Sequence, residues 1–236
     1  MNSLEIKRQN GNIPKSLPGQ DHVSGMIFYV NEADIPASFK TDPVQAVSVI
    51  DTAEALGITS DATSWATKVM HYQLSEAFRI NSGIMLYVGI FAKPTAHTFA
   101  ELATVQNYAD GAIRQFGIWD GLTELTAENV TALQSQADAL DSNNAPVSVG
   151  YAPSLKKGYQ SLPVNIASAL PRVSVIIAQA GGTNDVGAQL FAETSNKTTK
   201  NAVSCIGVWL GHVSLASVHE SISWVKKFPS GITLPS

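Results

Sequence analysis

Hydrophobic positions along this chain fall into two patterns that take turns, unbroken apolar runs and stripes at helical spacing. The first clear run, HVSGMIFYV from His22 to Val30, predicts a strand. IMLYVGIF, from Ile84 to Phe91, is apolar throughout, as a strand covered on both faces must be. AIRQFGIWD, PVSVGYA and VSVIIAQA, the last from Val173 to Ala180, predict three more strands. Between the runs lie stripes of the other period. Ala62, Trp65, Ala66, Val69, Met70, Ala77 and Phe78 share one face of a helix that starts at Asp61 and stops near Asn81-Ser82-Gly83. Phe99, Leu102, Ala103 and Gln106 form a second helical face ended by Gly111. Val130, Leu133, Ala137 and Leu140 form a third, begun by Thr126 and broken by Asn143-Asn144-Ala145-Pro146.

Two further helices are predicted from their end signals. TDPVQAVSVIDTAEALG carries a full set: Asp42 as N-cap, Pro43 at the first helical position, Gln45 closing a capping box and Gly57 as the stop. After VSVIIAQA, the pair Gly181-Gly182 and the capping residue Asp185 open another. From Ile84 to Ala180 the order is therefore strand, helix, strand, helix, strand, loop, strand. Strands spaced by helices of this length form parallel sheets reached by right-handed crossovers. The expected fold class is α/β, a mixed, largely parallel sheet flanked by helices, with no internal repeat. Residues 1–19 differ in kind: Leu4 and Ile6 alternate weakly before Gln9-Asn10-Gly11-Asn12, Pro14, Pro18 and Gly19, the pattern of an extended N-terminal arm. Residues 20–236 form the α/β region, with a candidate sub-boundary near Pro94 and no linker that would set off a second domain.

Composition narrows the function classes. The chain has 236 residues and is 44% hydrophobic, enough for a substantial core. Only 14% of residues are charged, with 15 basic against 19 acidic and a formal charge of -4. The densest basic spots are Lys156-Lys157 and Lys226-Lys227, too sparse to neutralise a phosphate backbone, so nucleic acid is excluded as a partner. A surface poor in charge is easier to bury against a neighbour, which favours self-association. One cysteine cannot form an internal disulfide, and no run approaches the ~20 apolar residues of a membrane span, so no membrane insertion is expected.

Several stretches invite a chemical reading. VSVIIAQAGGTNDVGAQLF has the strand, glycine turn and helix of a nucleotide site, but it lacks GxGxxG and GxxxxGK[ST] and puts Asp185 where a phosphate would sit. No GxSxG elbow supplies an activated serine. Cys205, His212 and His219 are spaced seven residues apart, close to two helical turns, and would share a face if one helix ran through them. Gly207, Gly211 and Ser214 argue that it does not. The sequence reading is a small packed cysteine and two histidines at helix ends, and no carboxylate pair stands out elsewhere. No catalytic, cofactor-binding or metal residues are assigned.

Taken in order, GQDHVSGMIFYV, VSVIDTAEALGI, SGIMLYVGIF, VQNYADGAIRQFGIW, RVSVIIAQAGG and IGVWLGHVSLASVHESISWVKKF resemble a family of uncharacterised prophage proteins related to contractile phage tail sheath proteins. The resemblance runs from about Leu4 to Phe228, and its motifs are structural. It implies a non-enzymatic, tail-sheath-like virion subunit. Such a subunit is made in the host bacterial cytoplasm and polymerises with copies of itself in a helical lattice around a tail tube protein. It also implies that the arm, through Leu4 and Ile6, is lent as a strand to a neighbouring subunit's sheet, where backbone hydrogen bonds give strength and alternate side chains set the register. Members of that family continue past WVKKF into a further segment, so the resemblance implies a shortened chain here. The alternative is a small-molecule-binding or enzymatic α/β domain built on the Gly181-Gly182 turn.

Overall fold

The computed structural model describes residues 23–155, 170–180, 185–193, 202–216 and 232–233. The first strand, β1 (Val23–Val30), becomes the centre of a six-stranded sheet, flanked in parallel by β3 (Met85–Ala92) on one side and β4 (Gln115–Glu124) on the other. β5 (Ser148–Ser154) and β6 (Val173–Val175) extend the β4 side in parallel. β2 (Val44–Val47) closes the opposite edge, antiparallel to β3, giving the order β2-β3-β1-β4-β5-β6. A separate pair joins β7 (Gln179–Ala180) to β8 (Ile232–Thr233), antiparallel. The expected α/β class with a mixed, largely parallel sheet is what the chain forms.

The helices follow from handedness. From β1 the chain moves one way across the sheet to β3; from β3 to β4 and from β4 to β5 it moves the other way. Right-handed crossovers in opposite directions must cover opposite faces. Accordingly α3 (Trp65–Ile80), on the first crossover, packs on one face together with the short α1 (Ala37–Thr41) and α2 (Ile50–Ala55). α4 (Glu101–Tyr108) and α5 (Ala127–Ser142) pack on the other. Each face has its own core. Met26, Phe28, Leu86 and Val88 point to the α3 side, whereas Ile27, Phe116, Ile118 and Val149 point to the α4–α5 side. Burial on both faces is why these strands read as continuous apolar runs.

The Thr126 hydroxyl accepts the Asn129 amide at 3.2 Å, as expected for α5, whereas the helix expected from Asp61 starts three residues later, as α3, where the Ser64 hydroxyl accepts the Thr67 amide at 3.3 Å. In α6 (Val186–Glu193), Asp185 accepts the Ala188 amide at 3.1 Å. The helix predicted over 42–57 forms only in its second half. Val44 to Val47 pair instead with β3, and Gln45 donates to the Asp42 carbonyl at 3.1 Å without closing a capping box. Val44, Val47 and Val49 are β-branched, and the antiparallel edge of β3 offers them a ladder that outweighs a local cap. The predicted strand from Val173 to Ala180 divides into β6 and β7, which belong to different sheets.

Gly207 and Gly211 both lie inside a helix, α7 (Ile206–Leu215), but Cys205 before it and Ala216 after it are not helical, so, as expected, one helix does not join Cys205, His212 and His219. Each glycine costs a free helix about 1 kcal/mol relative to alanine, but here both face α3 at close range. A Cβ on Gly207 would drive into the Gln73 carbonyl, and one on Gly211 would lie 2.9 Å from Ile80 and 3.0 Å from the Ala77 carbonyl. Loss of side chains lets the two helix backbones touch, so packing restores what propensity loses. Among the described residues no helix is long and apolar enough to cross a membrane.

Candidate functional site

In a doubly wound sheet the place for a ligand is the crevice at the carboxyl ends of the strands, where the crossovers diverge. Here that point lies between β1 and β4, beside Tyr29, Trp119 and Asp120. The chain itself fills it, from both faces.

On the α3 face the filling is the segment Ala202–Cys205, which leads into α7 and is buried throughout. Its backbone polar groups need partners, and three side chains provide them. Trp119 donates its indole N–H toward the Ala202 and Val203 carbonyls, both at 3.1 Å. Gln73 donates to the Val203 and Ser204 carbonyls at 2.6 and 3.2 Å, and its own carbonyl accepts the Gly207 amide at 2.8 Å. Gln179 accepts the Ser204 amide at 3.0 Å. The segment sits so close that a Cβ on Gly121 would collide with the Ala202 carbonyl. Ser204 takes φ +66°, a left-handed value unusual for a residue with a side chain, and its hydroxyl and the Gln179 amide nitrogen are buried without partners among the described residues. The Trp65 ring lies 6.1 Å from that of Trp119 and closes the end, held by its own bond to the Leu190 carbonyl at 2.7 Å.

On the α4–α5 face the filling is ionisable. The loop between β3 and α4 places His97 over the strand ends, with its Nε2 3.2 Å from Asp120 Oδ2 and 3.3 Å from the Thr123 hydroxyl. Asp120 Oδ2 also accepts the Tyr151 hydroxyl at 2.9 Å, and neighbouring Tyr29 donates to Glu101 at 2.9 Å. The imidazole stacks on Phe99, with ring centres 4.8 Å apart at 17°, and Tyr29 meets it edge-on at 4.7 Å. Asp120 is fully buried, and the His97 side chain is 2% exposed. His97 Nδ1 and Asp120 Oδ1 have no hydrogen-bond partner among the described residues. Burial pushes the Asp120 carboxyl up to about 7, against the hydrogen bonds from Thr123 and Tyr151 and the charge of Lys93, which hold it down. Burial pulls the imidazole the other way, below its ordinary value, with the Glu101 carboxylate opposing. Burial and the nearby carboxylates raise both tyrosines.

The residues singled out from sequence are placed as follows. Cys205 is buried at the start of α7, and burial pushes its thiol up to about 12, so it is a packed, inert sulfur. His212 lies in the last turn of α7, and His219 falls outside the described residues. Leu4, Ile6, Gly181 and Gly182 are also outside them. No three His, Cys, Asp or Glu side chains gather as metal ligands among the described residues. Sequence reasoning missed the His97–Asp120–Tyr151 cluster. One signal was present: in AIRQFGIWD an acid ends an apolar strand, at the end where parallel sheets put function. No family model matches the chain, and no curated protein matches it.

Proposed function

We propose that this chain is a non-enzymatic structural subunit of a contractile phage tail sheath or related injection apparatus, one that assembles with copies of itself in a helical lattice around a tail tube. The observation that carries the reading is the filled crevice. An α/β domain that binds a small molecule keeps the ends of its central strands open, whereas here Ala202–Cys205 occupies one side and His97 with Phe99 the other. Asp185, beside the glycine turn on which a binding site would be built, instead caps α6 by accepting the Ala188 amide, so the carboxylate stands where an anion would need that donor.

Both outer edges of the sheet support the same reading. They are short strands, β2 with four residues and β6 with three, each paired on one side only among the described residues. An open edge can accept a lent strand, and a single such contact matters mainly when a lattice repeats it. The virion tail is the place this function implies.

The test is assembly. Electron microscopy of concentrated protein should show tubes or rings, and deletion of residues 1–19 should abolish them while circular dichroism stays unchanged. Leu4→Cys combined with Ala46→Cys, at an exposed position on β2, should crosslink between chains; buried Cys205 does not interfere. Purely intramolecular crosslinking, or tubes indifferent to the deletion, would rule out the lent strand. A small molecule that binds stoichiometrically and raises the melting temperature would favour the binding-domain alternative.

A further inference from the structure

We propose that the loop joining β3 to α4, residues 93–100, is a proton-sensitive latch on the carboxyl ends of the sheet, held closed while the His97–Asp120 pair keeps one shared proton and loosened when that proton is lost. The proposal is independent of the sheath reading.

Three observations carry it. The loop is not held by its own backbone preference, because Phe99 sits at φ +56°, where a bulky side chain is strained. It is held by what His97 and Phe99 do at the strand ends: Phe99 is fully buried and packs edge-on against Tyr29 and Tyr151 at 5.9 and 5.5 Å, while His97 stacks on it and reaches Asp120. Finally, the pair is incompletely solvated. Asp120 Oδ2 has its hydrogen bonds, but His97 Nδ1 and Asp120 Oδ1 are buried without a partner among the described residues, so charge that reaches either atom is unsolvated.

The surrounding groups decide which charge state closes the latch. Tyr29 from β1, Tyr151 from β5, Thr123 at the end of β4, Glu101 from α4 and Lys93 from the loop face the pair, and Asn129 of α5 reaches Tyr151. Lys93 is exposed and the only cation among them, and Glu101 is already bonded to Tyr29, so among the described residues no buried charge balances the pair from outside. The pair must balance itself. With one shared proton it is neutral, either as neutral imidazole and carboxylic acid or as imidazolium and carboxylate.

The signs follow from linkage. Asp120 is raised in the fold, so the stability it lends is present at low pH and is lost as pH rises through about 7, leaving a buried anion whose Oδ1 seeks water. His97 is lowered in the fold, so its contribution is present above its ordinary value and is lost as pH falls below it, when imidazolium forms beside a protonated acid. Below about 7 the two contributions therefore oppose each other, and above it the closed state has lost what the protonated carboxyl lent it.

Hydrogen exchange of the unaltered chain from about pH 5 to about pH 9, corrected for intrinsic rates and referred to the α3 amides, tests this. Protection of residues 93–101 should fall as pH rises toward about 7, by less than about tenfold per pH unit because the imidazole opposes the carboxyl, and level off above it. Asp120→Asn should abolish that fall; His97→Gln should steepen it toward the limit of about tenfold per pH unit for one proton. Should either variant fail to fold, carbon-13 titration of the Asp120 carboxyl in the unaltered chain decides: a midpoint about 7 supports the latch. A carboxyl that titrates near the ordinary value for aspartate, a protection profile that stays flat in His97→Gln, or a fall that survives Asp120→Asn would overturn it.

Discussion

The two fillings of the switch-point crevice do the same job with opposite chemistry. Ala202–Cys205 is held by neutral groups, the amides of Gln73 and Gln179 and the indole of Trp119, whose hydrogen bonds do not change with pH. His97 and Phe99 are held by aromatic packing and by a carboxyl-imidazole pair whose bonds depend on a proton. One face of the sheet is closed permanently, the other conditionally. A buried neutral network costs most when one partner is removed and the rest are left unsatisfied, whereas an ionisable pair can change protonation before the fold fails.

The largest effect should come from the permanent side. Gly207→Ala would press a methyl group into the Gln73 carbonyl and separate α7 from α3, at a cost of about 3 kcal/mol or more, read as a lower urea midpoint. Gln73→Leu keeps the volume but strands the Ser204 carbonyl and the Gly207 amide and leaves the Val203 carbonyl only the shared Trp119 indole; a loss of about 2–4 kcal/mol is expected, unchanged between pH 6 and 8. A pH-dependent loss would show that the two sides are coupled and erase the contrast.

On the conditional side the effect should be smaller and should move with pH. Tyr151→Phe removes the hydroxyl that Asp120 accepts, at a cost of about 1–2 kcal/mol where the carboxylate is charged, and less where it is protonated. Because that hydrogen bond holds the carboxyl down, its midpoint should rise further in the variant, as carbon-13 titration would show. The smallest change expected is Thr126→Ala, which removes the α5 cap far from either filling and should cost about 1 kcal/mol at every pH.

Local signals decided much of this molecule. Continuous apolar runs fixed β1, β3, β4 and β5 because a strand covered on both faces has no polar side to show. Apolar stripes with capping hydroxyls and carboxylates fixed α5 and the start of α6, since a cap is a contact between residues three apart and needs nothing from the rest of the chain. Tertiary structure decided what depends on distant partners. Val44 to Val47 became a strand because the edge of β3 was there to pair with, against a local signature that read as helix. Gly207 and Gly211 became helical because α3 rewards a backbone without side chains at that spot. His97 and Asp120 lie on separate elements; Asp120 ends an apolar run, but nothing in the sequence pairs it with His97. Only the convergence of β1, β4 and β5 beneath the loop after β3 removes water from both and makes their protons matter to each other.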